Sequence, residues 1–490
     1  MSLGRRAPAP AVLASLVLVA ALASGGAPAL AQPALVPAAA PAASAEMRAG
    51  AAGLQAEALG GDGAWELVSS LVTEVGPRFA GSPGDAAARA WAEAKLRSLG
   101  FAKVWSEPVT VPRWVRGAER GAIVAPWPQE VAVVALGGSV GTPDGGLEAE
   151  VVEVESLEAL AALPDAAVRG KIVFVSTKMF RHPDGAGYGA AVPMRTRGAS
   201  EASRKGAVAI LIRSVGTDSN RLPHTGTTRY AEGVVPIPAA ALSVPDADLL
   251  ERQVESGQPV RFRLELGCRM EGEAESANVF GEIPGRESPE QIVLVAAHLD
   301  SWDITPGAQD NGTGVALAIE AARLAAGASP GGAPRRTIRV WLTANEEFGL
   351  SGARAYVVAH EAEADHHVLA TEADAGGGRA LRFTTHFAPA DEAAAKELAV
   401  LLLPLGVPMA EGLADGGADL SRLTVFGVPL VDLRLDGSRY FDVHHTANDT
   451  LLQIDPEALR QSTASLATVL WWAANREARV AQIEKRAPRF

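Results

Sequence analysis

The chain has 490 residues, 48% of them hydrophobic, and carries 44 Lys and Arg against 57 Asp and Glu for a formal net charge of −13. That length is enough for two or three domains with sizeable cores, and the negative balance argues against a nucleic-acid surface and against binding to an anionic membrane. The single cysteine, Cys268, rules out an intramolecular disulfide and a lipid-anchored cysteine at a processed N-terminus.

In chain order, Arg5-Arg6 precede an apolar run from Ala11 to Ala23 and then Ala29-Leu30-Ala31. A basic start, an apolar middle and a small-x-small end predict a cleavable signal peptide over residues 1–31, too short to span a bilayer comfortably. The expected product is soluble, periplasmic or secreted, with a disordered Ala/Pro-rich leader over 32–45. Met47 to Leu99 reads as helical, with Trp65, Leu67, Val68, Leu71 and Val72 at helical spacing. Gly76-Pro77 stops that run, and Ser82-Pro83-Gly84-Asp85 starts another that ends at Gly100. Phe101 to Val111 alternates like a strand that stops at Pro112.

The texture then changes. Val131–Leu136, Ala149–Val154, Lys171–Ser176, Ala207–Ile212 and Val260–Leu266 are short β-like runs between Gly, Pro and Asp turns, with a helix expected at Ser200–Lys205. We place a β-rich insert at 123–272, splitting a catalytic domain into 46–122 and 273–490. From Asn278 onward strands and helices alternate, the α/β signature, and Asp455 to Arg479 reads as a closing helix.

The chemistry collects in that second part. Val293 to Ala297 is an apolar strand that runs into His298-Leu299-Asp300, then a Gly/Pro loop and Asp310-Asn311-Gly312-Thr313-Gly314. Ile338–Leu342 leads to Glu346-Glu347, Val368–Ala370 leads to Glu372-Ala373-Asp374, and Phe441-Asp442-Val443-His444-His445-Thr446 lies near the C-terminus. Imidazoles and carboxylates at strand ends are where open α/β sheets keep their sites. They are also the donors that suit catalytic zinc. We expect two zinc ions per chain: Asp310 shared, His298 with Asp374 on one, and Glu347 with a histidine on the other. Spacing alone does not choose between His444 and His445. Glu346 is the expected general base. Asp300 is expected to accept the other ring N–H of His298, and Gly307, Gly312 and Gly314 to let backbone pass close to the metals. An isolated Glu-Glu pair or a lone histidine is usually structural. His360 and His366-His367 fall in a charged stretch that reads as exposed, and His386 and Asp432 read as structural.

The ordered set His-x-Asp, Asp-Asn-Gly, Glu-Glu, Glu-x-Asp and His-Thr resembles the cocatalytic dizinc exopeptidases, the family of bacterial secreted aminopeptidases and glutamate carboxypeptidases. The resemblance covers most of the chain beyond the leader. It implies a three-layer α/β/α zinc-peptidase sheet and favours His445, the histidine directly before Thr446. Gly417-Ala418-Asp419 looks like the family's Gly-x-Asp element, which suggests that Asp419 holds a substrate end or orders the pocket. The insert is similar to a protease-associated domain. Pro223-His224-Thr225-Gly226 and Tyr440 to His445 point to the plasma glutamate carboxypeptidase branch.

The expected activity is hydrolysis of the N-terminal bond of a dipeptide or short peptide. Tyr440 is a candidate donor to the developing oxyanion, and His444 is a candidate for substrate contact. The resemblance also leaves a homodimer open. The rival readings are a single-zinc glutaminyl cyclase, a non-catalytic binding protein on the same fold, and a carboxypeptidase for acidic C-termini that would draw on Arg422, Arg434 or Arg439.

Overall fold

The structure is a computed structural model that describes residues 43–486, so the signal peptide expected over 1–31 lies outside the described residues. Among the described residues no helix is long and apolar enough to cross a membrane. The leader expected to be disordered over 32–45 is ordered at its end: Ala43 is buried, and Ser44 caps the first helix, Ala45–Gly60, by accepting the Met47 N–H at 3.1 Å. Two more helices, Gly63–Glu74 and Pro83–Ser98, follow where helical spacing predicts them. The second of these opens with Pro83 behind a Ser82 cap that accepts from Asp85 N.

A seven-stranded sheet forms the centre. Its strand order is Lys103–Val115, Arg269–Ile283, Arg336–Thr343, Ser288–His298, His367–Glu372, Leu430–Leu435 and Ala380–His386. The four strands from Arg336–Thr343 to Leu430–Leu435 are parallel, and the flanking pairs are antiparallel. Both faces are covered, which explains why Ile292 to Ala297 is apolar without a gap. Val293, Val295 and Ala297 pack with the Ala45–Gly60, Gly63–Glu74, Thr313–Gly327 and Pro456–Asn475 helices. Ile292, Leu294 and Ala296 face Trp341, Tyr356, Leu420 and Phe426 on the other side. The three-layer α/β/α expectation is met.

The Lys103–Val115 strand does not stop at Pro112. It continues to Val115 with a register shift between Pro112 and Trp114, which an edge strand tolerates because one side needs no donor. Its last pair, Val115 with Arg269, sets the chain's departure beside its return. Between these points, strands from Glu119–Ala125 to Arg261–Leu266 make a separate eight-stranded sheet. The helix expected at Ser200–Lys205 is much longer, Ala186–Arg204, and packs its Ala191, Met194, Ala199 and Ala202 against that sheet.

Candidate metal centre

The proposed ligands emerge where the parallel strands end. His298 is the last residue of its strand. Glu346 and Glu347 follow Thr343 on the neighbour to one side, and Asp374 follows Glu372 on the neighbour to the other. Asp310 comes from the loop that returns into the Thr313–Gly327 helix, and the Asp310–Asn311 peptide is cis. Asn311 ties that loop to the Asp374 loop. Its Nδ2 donates to Ala373 O at 2.8 Å, and its Oδ1 accepts from Gly314 N at 3.1 Å. The approach is so close that a Cβ on Gly314 would lie 2.0 Å from Ala373 O, so only glycine fits.

Asp310 is the centre of the group. Its Oδ1 lies 3.2 Å from His298 Nε2, and its Oδ2 lies 3.2 Å from His445 Nε2. His298 Nε2 is also 3.3 Å from Asp374 Oδ1, and His445 Nε2 is 3.0 Å from Glu347 Oε2. All five are brought together: one carboxylate stands between two imidazoles, each of which faces a further carboxylate. Two three-residue groups, Asp310-His444-His445 and His298-Asp310-Glu347, keep their candidate ligand atoms within 4.8 Å of one another.

These spacings fit a metal. Bonds of about 2.0–2.1 Å in a tetrahedral shell put neighbouring ligand atoms roughly 3.3 Å apart. Asp310 Oδ2 and Glu347 Oε1 are buried with no hydrogen-bond donor, an expensive arrangement unless a cation completes it. The field points the same way. Burial should depress both histidines, yet Asp374 and Asp310 carry His298 well above its ordinary value, and Glu347 with Asp310 carries His445 up to about 9. Carboxylates that pull this hard on buried imidazoles mark a site short of positive charge.

His444 also lies near Asp310, with Nε2 3.5 Å from Oδ2, and it stacks on His445 at 3.5 Å between ring centroids. What separates the two is their support. His445 Nδ1 faces Thr225 O at 3.2 Å, which fixes the tautomer that aims Nε2 inward, whereas His444 Nδ1 has no partner. His445 adopts φ 61, a left-handed conformation uncommon for a side-chain-bearing residue, and Thr225 N donates to its carbonyl at 3.1 Å.

Asp300 differs from expectation. His298 Nδ1 faces the Asp300 backbone carbonyl at 3.0 Å, while the nearest carboxylate oxygen stands 3.8 Å away. That carboxylate instead accepts from Glu346 N at 3.1 Å and Glu347 N at 3.3 Å, just after Asn345 turns the chain at φ 61. Asp300 therefore orients the Glu-Glu pair. Burial pushes the Glu346 carboxyl well above the usual carboxylate range, with Asp374, Glu347 and Asp419 adding to the shift and His298 opposing it. Asp419 is wholly enclosed and accepts from the Thr343 hydroxyl, and burial lifts it to about 7.

Several contributors escaped sequence reasoning. Arg78 is fully buried and gathers the loop between His298 and Asp310 by donating to Leu299 O (2.5 Å), Pro306 O (2.6 Å) and Gly307 O (2.9 Å). Asp449 accepts from Gln309 N at 2.6 Å and Asp310 N at 3.0 Å. Trp302 lies under His445 at 5.7 Å and stacks on Phe79 at 5.1 Å. His224 faces His444 O through Nδ1 at 2.6 Å and Asp218 through Nε2 at 2.7 Å. Pro223 to Gly226 stood out as unusual in the sequence, and Arg78 lay hidden in a segment that reads only as a helix stop. His360 and His367, expected to be exposed, are 7% and 0% exposed, and only His366 stays at the surface. His367 accepts from the Tyr356 hydroxyl at 2.7 Å, inside a network with Arg339 and Glu363.

Two cavities share Tyr440, and of these the smaller adjoins the centre through Asp374. The smaller, about 260 Å³, is walled by Asp374, Glu372, Asp184, Asp415 and Asp432, together with Tyr188. The larger, about 780 Å³, includes Arg379 and Arg439, neither of which makes an ion pair among the described residues.

Residues 278–470 match the family described as peptidase family M28. Carboxypeptidase Q from Mus musculus is 37% identical over 84% of this chain and 85% of its own length, and the Homo sapiens protein is 36% identical over the same shares. The crystal structure of a peptidase M28 precursor from Shewanella amazonensis is 44% identical, covers 90% of this chain and 99% of its own, and has a TM-score of 0.87. A zinc aminopeptidase from Bacillus subtilis, 21% identical, shares the fold with a TM-score of 0.62 over 86% of this chain and 97% of its own.

Proposed function

The chain belongs to peptidase family M28 and is a peptidase. From that premise we propose that it is a dizinc exopeptidase that hydrolyses the N-terminal peptide bond of dipeptides or short peptides. His298 and Asp374 would hold one zinc, Glu347 and His445 the other, with Asp310 shared. When bound, zinc supplies Lewis acidity and lowers the pKa of coordinated water. Glu346 takes the proton of the attacking water and returns it to the leaving amine. Asp300 keeps Glu346 and Glu347 in register for these separate tasks.

The observation that carries the N-terminal reading is the acidic wall of the smaller cavity beside Asp374. A free ammonium is welcome there and a free carboxylate is repelled. Arg434 on the same wall is engaged by Asp415 at 3.4 Å and Asp432 at 3.3 Å, and Arg382 engages Asp184 at 3.1 Å, so the charge offered to an ammonium comes from Glu372 and Asp374, which have no arginine partner among the described residues. A second reading, release of a C-terminal residue, is favoured by Arg379 and Arg439 on the larger cavity and by the name of the mammalian relatives. The signal-peptide pattern of residues 1–31 supports export. The deciding experiment compares one dipeptide with its N-acetyl and C-amide forms. The N-terminal reading expects acetylation to abolish cleavage and amidation to spare it; the opposite result establishes the second reading.

A further inference from the structure

The segment between the first strand of the seven-stranded sheet and the other six reaches into the site. Its Ala186–Arg204 helix begins at the mouth of the smaller cavity, where Tyr188 joins Asp374 and Tyr440 on the wall. The Tyr188 ring stacks on Phe441 at 5.0 Å and meets His444 edge-on at 5.4 Å, so its place is tied to the loop that carries His445.

The hydroxyl has a defined polarity. Its oxygen accepts from Arg195 Nη2 at 2.6 Å, and no group among the described residues takes its proton. An oxygen already serving as acceptor keeps its O–H free to donate. Arg195 is 6% exposed and, among the described residues, faces no carboxylate and has an unpartnered Nε. Its Nη1 stands 3.4 Å from His445 Nδ1, a nitrogen whose own proton goes to Thr225 O. Gly226 seals the guanidinium, since a Cβ there would lie 2.5 Å from Cζ. A buried cation closed off from ligands acts only through what it touches, and the phenol is the group to which this guanidinium donates, at 2.6 Å. Burial, with Glu346 and Glu347 adding, holds that phenol above its ordinary value against the pull of Arg195, so it stays a neutral donor.

We propose that Tyr188 donates a hydrogen bond to the carbonyl oxygen of the bond being cleaved, with Arg195 as the positioning residue behind it. The proposal rests on the peptidase reading. Water adds to the carbonyl carbon, the C–N bond breaks, and the proton passes through Glu346 to the amine. The phenol keeps its proton throughout. Negative charge grows on the carbonyl oxygen as water adds, so this donor is worth more in the transition state than in the ground state.

Tyr188→Phe preserves the ring that packs on Phe441. It is expected to lower kcat about 100-fold, with KM within about threefold and metal content unchanged. A phosphinic dipeptide analogue that mimics the tetrahedral state should lose affinity by the same factor as kcat/KM. Arg195→Met should lower kcat about tenfold in the wild type and add little to Tyr188→Phe, because the two act in series. Wild-type kcat in Tyr188→Phe, a loss confined to KM, or additive losses in the double variant would each overturn the proposal while leaving the peptidase reading intact. A wild-type protein that cleaves no peptide at all would overturn both.

Discussion

Glu346 and Glu347 are adjacent, yet the chain gives them different surroundings. Glu347 faces His445 at 3.0 Å, whereas Glu346 makes no ion pair among the described residues and is placed by its backbone, its N–H on Asp300 at 3.1 Å and its carbonyl accepting from Gly349 N at 3.2 Å. Glu346→Gln is therefore expected to retain both metals by elemental analysis and to lose about 1,000-fold in kcat, within the range of a missing general base. His367 gives a separate test. Burial lowers it from 6.5 to about 4, so the folded protein holds it neutral while the unfolded chain protonates it near 6.5. Its contribution to stability is present above pH 6.5 and is lost as pH falls from there through 4, to a ceiling of about 3 kcal/mol. The unfolding midpoint in urea should fall across that window, and His367→Gln should flatten the fall. At this scale the sequence exposed His298, Asp310, Glu347, Asp374 and His445, because each follows an apolar strand or sits in a short polar motif. It did not expose the destination of Asp300, since strand alternation gives the face of a side chain and not which donors will capture it. His360 and His367 were misplaced because their neighbours are charged while their own rings turn inward.

Among the elements, the Ala186–Arg204 helix and the 218–226 loop bring a separate sheet into contact with the loop that carries His445. His224, braced by Asp218, holds the His444 carbonyl, and Thr225 holds His445 at both ring and backbone. His224→Ala is expected to weaken one of the two metal sites 10–100-fold, as for other partners that orient metal ligands. Chelator titration at fixed free zinc checks this, the expected result being one tight site and one weakened site. The strands that lead to the proposed ligands were readable because burial on both faces makes them continuous apolar runs. The Ala186–Arg204 helix was readable only at its end, because Gly187, Gly189, Pro193 and Gly198 lower its helix propensity and tertiary packing overrides them. The Ala239–Leu242 strand was missed for a related reason: three alanines carry little β signal, and the pairing comes from its neighbours on both sides.

Across the whole molecule, the centre is assembled from segments more than 350 residues apart, from Arg78 to Asp449. None of the long-range ties was legible, because a hydrogen bond between Arg78 and Gly307 leaves no periodicity in either segment. Their sum is a buried group of carboxylates with little compensating charge. Binding a cation to the folded state alone must then stabilise it by mass action. Chelation is expected to lower Tm by several degrees, with zinc, and not calcium, restoring it under calorimetry. The account turns on Asp310 standing between two cations. The most direct measurement is an anomalous difference map at the zinc edge from crystals of the zinc-loaded protein. We expect two peaks of comparable height about 3.5–4 Å apart, one on each side of the Asp310 carboxylate. One peak alone, or two peaks that do not share Asp310, would contradict it.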